Sequence, residues 1–204
     1  SDPGEVRRTI AILSVCGFAS ALSTRFVDPM ITVIARDLAA DPLQVALLSS
    51  AYALPYALIQ LVLGPIGDAL GKELVTKLLM VALTITMFAC AFAPNLPSLF
   101  MFRILSGVAA GGIIPMGLAT IGDRVRMADR QVAIGHFLTA VLTGQLLGGV
   151  GAGLVADGWG WRGVFLFGAA LSACSAAAVL VGFRSYRSSG GELSFASAGR
   201  GETR

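Results

Sequence analysis

The stretch Gly64-Pro65-Ile66-Gly67-Asp68-Ala69-Leu70-Gly71-Lys72 decides the fold. It is a short polar knot between two long apolar runs, 45–63 and 74–93. Each run has roughly the twenty residues that carry a helix across ~30 Å of hydrocarbon. Very little chain is left to turn between them. So tight a turn needs small residues, because glycine adopts backbone angles that other residues resist. Asp68 is placed to cap free N–H groups at a helix end, and Lys72 to meet lipid head groups.

The same pattern extends outward over the whole chain. Its 204 residues are 55% hydrophobic and 13% charged, with mean hydropathy +0.79. Soluble domains run nearer a quarter charged. The charges collect between apolar runs, which predict six spans: 9–35, 45–66, 73–93, 97–122, 131–156 and 161–183. Lipid cannot satisfy an open backbone, so the spans are helices, and no two-residue alternation supports a barrel. The expected fold is an all-α membrane protein with six transmembrane helices over 9–183. Residues 1–8 form a short N-terminus, and 184–204, rich in serine, glycine, arginine and glutamate, read as a disordered tail or linker.

Several classes are set aside. The net charge of +3 comes without a basic patch interleaved with aromatics, so nucleic acid is not a partner. Cys16, Cys90 and Cys174 sit inside apolar runs without metal-ligand spacing. They read as packing residues rather than a disulfide framework or zinc site, and no metal or cofactor is expected. Arg7-Arg8 and Ala19-Ser20-Ala21 imitate a signal peptide, but the apolar run continues to residue 35 and carries Arg25 and Asp28.

Basic residues set the expected orientation. Arg7, Arg8, Lys72, Lys77, Arg124, Arg126, Arg130, Arg184 and Arg187 fall at one set of ends, against only Arg36 and Arg162 at the other. Both termini are therefore expected to be cytoplasmic, in a multi-pass cytoplasmic (inner or plasma) membrane protein.

Charges inside the bilayer are costly and mark pathways or pairs. Arg25 and Asp28 are three apart on one face of the first span. Counting from the span ends puts Asp28 and Arg103 at one depth, roughly 10 Å below the outer surface. A carboxylate that alternates between burial and an arginine takes up and releases a proton. Proton coupling at Asp28, Arg103 and Arg25 stands beside a static ion pair as the two readings. Tyr52, Tyr56 and Gln60 recur every four residues on the second span, as a substrate path or as bonds between helices. His136 on the fifth span is a path residue or a packed polar one. Gly107 and Gly111, then Gly144 and Gly148, are spaced for close helix approach, for bundle packing or for a face that rocks.

These residues resemble the N-terminal half of a major facilitator superfamily transporter, over about 9–183, with proton-driven drug and metabolite exporters most similar. Gly64, Asp68, Gly71 and Lys72 match the motif after the second span, with Ala69 and Glu73 where that family carries bases, a departure expected to weaken the charge network there. The resemblance implies a cytoplasmic gate of Asp68 and Lys72 with Asp123 at the end of the fourth span. Arg103, Gly107 and Gly111 match the fourth-span motif, whose arginine the family links to proton transfer. Gly144, Gly148 and Gly149 match the antiporter motif of the fifth span, with Ala140 for its first glycine and Gln145 for its proline. Arg25-Asp28-Pro29, Ala93-Pro94-Asn95, Asp129-Arg130 and Trp159-Gly160-Trp161-Arg162 follow at family spacing.

The resemblance implies proton-coupled export of a small amphipathic or cationic solute by alternating access, with Gln145 among the path residues. The family builds its cavity between two six-helix halves. The expected partners are therefore the lipid bilayer, protons, the solute, and a second half or a second copy. The alternative is a truncated, non-transporting assembly partner or regulator. A membrane enzyme is not expected, because one histidine and scattered cysteines supply no nucleophile–base pair.

Overall fold

The computed structural model describes residues 3–183, and the expected tail at 184–204, with Arg184 and Arg187, lies outside them. The chain is almost wholly helical over that range. Its elements are α1 (Pro3–Thr24), a 3-10 turn (Asp28–Met30), α2 (Ile31–Asp37), α3 (Pro42–Leu70), α4 (Lys72–Ala91), α5 (Leu96–Gly111), α6 (Ile113–Arg124) and α7 (Met127–Gly182). Among the described residues five helical stretches are long and apolar enough to cross a membrane: Gly4–Asp37, Pro42–Leu70, Lys72–Ala91, Leu96–Arg124 and Met127–Gly182. The protein has a multi-pass, all-α membrane fold.

The six expected runs fall into five helical stretches, because the fifth and sixth, 131–156 and 161–183, are joined within Met127–Gly182 by a kink at Gly160 with no loop between them. The single non-helical residue of that stretch is Gly160, at φ 68° and ψ 174°. A positive φ of this kind is open to glycine and resisted by other residues. The packing shows what Gly160 does. Ascending the first arm, Gly144, Gly148 and Gly153 meet Phe18, Leu22 and Pro29 in order. Ascending the second arm, Gly168 meets Phe26 and Gly182 meets Ile12. The two arms run in opposite directions along α1, so the chain doubles back at one residue.

Two other spans are interrupted where unbroken helices are expected. The first breaks after Thr24. Ser23 and Thr24 turn their hydroxyls back onto the carbonyls of Ser20 (2.7 Å) and Ala21 (2.6 Å), and Pro29 has no N–H to give. The fourth breaks between α5 and α6, because Pro115 offers no donor to Gly111 and its ring crowds that carbonyl.

The opening knot is also corrected. Gly64 to Leu70 belongs to the end of α3, and the turn to α4 is Gly71 alone, at φ 89°. Asp68 caps nothing. It stands in the last turn of α3, and the start of α4 has no side-chain cap. The helix starts that are capped are α3, where Asp41 accepts from the Leu43 N–H at 3.0 Å, and α5, where Asn95 and Ser98 form a capping box.

Burial separates the spans. The apolar window of Leu96–Arg124 is 61% buried inside the bundle, that of Pro42–Leu70 only 17%. Close packing rests on small residues. A Cβ on Gly107 or Gly111 would fall on the carbonyls of Tyr52 or Tyr56, and one on Gly144 or Gly148 on those of Phe18 or Leu22. Gly149 is not of this kind, since its nearest neighbour, Arg25 Cβ, is 4.0 Å away.

Candidate functional site

The break between α1 and α2 opens a cleft of about 310 Å³ lined by Thr24, Arg25, Asp28, Ser49, Tyr52, Ala53, Tyr56 and Gln145. The break supplies Arg25 and Asp28, one face of α3 supplies Ser49, Tyr52 and Tyr56, and α7 supplies Gln145. Asp28 accepts from Ser49 Oγ at 2.8 Å and pairs with Arg25 at 3.4 Å. Both charged side chains are about half exposed, at 59% for Arg25 and 44% for Asp28. Tyr52 and Tyr56 stack with ring centroids 5.9 Å apart. The cleft therefore offers an aromatic wall, hydroxyl and amide groups, and one open ion pair.

Arg103 lies behind that wall, with no exposed surface. Its Nη1 donates to the Ser23 carbonyl at 3.3 Å, and its guanidinium faces the Tyr52 ring at 4.2 Å. Tyr52 OH and Ser23 Oγ are 3.0 Å apart. Arg103 and Asp28 are neighbours without being partners. The expectation that they meet is corrected: Asp28 is held by Arg25 and Ser49, because the helix break carries it toward α3.

A second charged group surrounds the Gly71 turn, in a pocket of about 580 Å³. Lys72 Nζ lies 2.6 Å from Asp123 and 3.9 Å from Asp68. Glu73 pairs with Arg124, whose guanidinium also lies over the Phe183 ring at 5.2 Å. By its motif position Glu73 is a departure that should weaken this network. In the fold it adds a pair to it, and it sits where the positive end of α4 favours an acid. Gly64 has nothing near it and takes no direct part.

At the opposite, Gly160 end, Asp37 accepts from the Trp161 indole at 2.8 Å and from Arg162 at 2.5 Å. Arg162 also donates to the Ala93 carbonyl at 3.4 Å. This corner ties α2, the α4–α5 loop and the second arm of α7 together.

Of the residues singled out from sequence, the cleft unites Arg25, Asp28, Tyr52, Tyr56 and Gln145, and the turn unites Asp68, Gly71, Lys72 and Asp123. Gln60 and His136 are exposed and do not line the cleft. Sequence reasoning missed Ser49 and Asp37, and read Glu73 as weakening a network that it joins. Ser49 was within reach, since it precedes Tyr52 by three residues and shares its helix face.

The comparisons with known proteins agree with this fold. The family description Major Facilitator Superfamily matches residues 13–201. The chain is 33% identical over 153 residues to the multi-drug resistance efflux pump PmrA of Streptococcus pneumoniae, covering 73% of this chain and 38% of that protein. It is 26% identical over 164 residues to the fatty acid resistance protein FarB of Neisseria gonorrhoeae, covering 80% and 32%. The chain thus spans about a third of the length of these curated relatives. Among solved structures it is similar in fold to the proton:xylose symporter XylE, with TM-score 0.79 at 12% identity over 89% of this chain and 45% of that one. It is likewise similar to the POT family transporter PepTSo, with TM-score 0.77 at 15% identity over 90% and 38%. These likenesses belong to transporters and to no catalytic enzyme. With a matching fold, a match over most of its length and the motif residues gathered at two sites, the chain belongs to the Major Facilitator Superfamily.

Proposed function

We propose that this chain forms one half of a secondary active transporter, exporting a small amphipathic or cationic solute in exchange for protons by alternating access. One observation carries the reading: a cleft that gathers Arg25, Asp28, Tyr52, Tyr56 and Gln145 beside a buried Arg103. Asp28 carries the proton, with Arg25 paired to it and Arg103, behind the tyrosine wall, modulating the exchange. Asp68, Lys72 and Asp123 latch the cytoplasmic side, with Gly71 allowing the chain to turn there. The glycine contacts at Gly107, Gly111, Gly144 and Gly148 let helices shift against one another, and Gly149 extends that face. Residues 9–183 are the transmembrane unit, flanked by 1–8 and 184–204, with both termini cytoplasmic in an inner or plasma membrane.

The sparsely buried face of α3 supports a partner. A second six-helix half, or a second copy, packs there and closes the cleft. Rocking between the two then exposes Asp28 to each side alternately.

The test is solute flux in proteoliposomes holding the chain with its second half or as a dimer, with and without a pH gradient. Flux that follows the gradient and is abolished by Asp28→Asn supports the reading. Gradient-independent flux, or full flux in Asp28→Asn, removes Asp28 as the carrier. A complete absence of flux favours an assembly partner that does not transport.

A further inference from the structure

Arg103 holds a charge that is not lost at any ordinary pH, in a place with no solvent contact. Its Nη1 is bonded to the Ser23 carbonyl. Its Cζ lies over the rings of Tyr52 at 4.2 Å and Phe165 at 5.9 Å. Nε and Nη2 meet no acceptor of the protein. These two nitrogens form one edge of the guanidinium, with N–H bonds pointing the same way. That is an edge by which arginine grips both oxygens of a carboxylate. A buried charged donor left unmatched is costly, so such an edge calls for an acceptor.

The surroundings supply none. Ser106 Oγ donates to the Phe102 carbonyl on its own helix, and the Cys90 thiol reaches only Ser106, at 4.0 Å. The Tyr52 hydroxyl contacts Ser23 Oγ, which donates to the Ser20 carbonyl, and neither oxygen accepts from Nε or Nη2. Asp28, the one carboxylate of the cleft, is held by Arg25 and Ser49.

We propose that the Nε–Nη2 edge of Arg103 binds the carboxylate of the transported solute, which makes that solute a small amphipathic acid. This rests on the transporter reading and narrows its solute class. Tyr52 is the link, because it lines the cleft and covers the guanidinium. Moving it breaks one hydroxyl contact with Ser23 and the stack on Tyr56. An aromatic acid replaces both, with its ring on Tyr56 and its carboxylate on Arg103. The cleft volume of about 310 Å³ is at the small end for ligand sites and suits a single-ring acid. A cation finds no spare carboxylate there.

The experiment is a binding titration of the whole chain in nanodiscs, read by fluorine NMR line broadening of para-fluorobenzoate. In the wild type, saturable broadening is expected, displaced by benzoate and displaced at least tenfold more weakly by benzamide or benzyltrimethylammonium. Arg103→Lys should weaken binding at least tenfold, because an ammonium lacks the planar fork. The proposal is overturned by unsaturable broadening, by equal competition from the amide or the ammonium, or by unchanged binding in Arg103→Lys. The wild-type competition decides the matter even if Arg103→Lys does not fold. No flux is measured, so a negative result leaves the transporter reading standing. Failure of proton-driven flux with benzoate binding intact falls on that reading alone.

Discussion

The two charged regions of this bundle obey different rules. Around Gly71 each acid of the pocket faces a base: Asp68 and Asp123 face Lys72, and Glu73 faces Arg124. These side chains are partly exposed, so water shares the work. Around Arg103 there is no water-facing surface and no ion pair, only a carbonyl, two aromatic faces and two unmatched nitrogens. Charges at the helix ends settle locally. The interior charge is left incomplete, and incompleteness is what a transport cycle can use.

The largest expected effect tests whether the interior charge is truly uncompensated. Arg103→Lys should lower stability by about 3 kcal/mol, because a compact ammonium keeps the burial cost and loses the planar contacts. Arg103→Met, which removes the charge and keeps much of the bulk, should lose less than half as much. Thermal unfolding in one detergent compares them, and equal losses would erase the contrast between the regions.

Next comes the packing that keeps Arg103 covered. Gly107→Val puts side-chain atoms on the Tyr52 carbonyl and against Pro55. It should cost about 2 kcal/mol and push α3 from α5. An unchanged unfolding midpoint would mean that the helices have slack there.

At the other region, Gly64 sits inside α3 with open space around it. Gly64→Ala should raise stability by about 0.5–1 kcal/mol through helix propensity. A loss instead would show that this glycine's freedom is needed in the fold. Smallest of all, Lys72→Ala should cost under about 1 kcal/mol, shrinking further in molar salt. A cost that ignores salt would place this network in the same class as Arg103.

That lipid is the solvent of this chain is legible in its residues alone. Apolar runs of membrane length, with most charges gathered at their ends, are properties of composition, and they hold. The motif spacing also places Lys72 beside Asp123, and Arg25 beside Asp28. What composition does not carry is where a run stops being one helix. Pro29 and Pro115 break spans that hydropathy reads as continuous, and Gly160 turns the chain without the polar loop that marks a boundary. The Arg103–Asp28 expectation fails for the same reason. Depth counted along a straight helix loses its meaning past a break. Burial rank is hidden too, since α3 and the α5–α6 span are both apolar and differ in where small residues fall.

The reversal at Gly160 leaves the chain's two tryptophans in opposite surroundings, one on each side of that glycine. Trp159 is 77% exposed, while Trp161 is 2% exposed and pinned to Asp37 and Arg162. An indole held against a carboxylate and a guanidinium emits at a different colour, and with a different lifetime, from one facing outward. Replacing Trp159 by phenylalanine would leave a single tryptophan, at the corner that ties α2, the α4–α5 loop and α7 together. Its light would then report, with no dye attached, each time that corner comes apart.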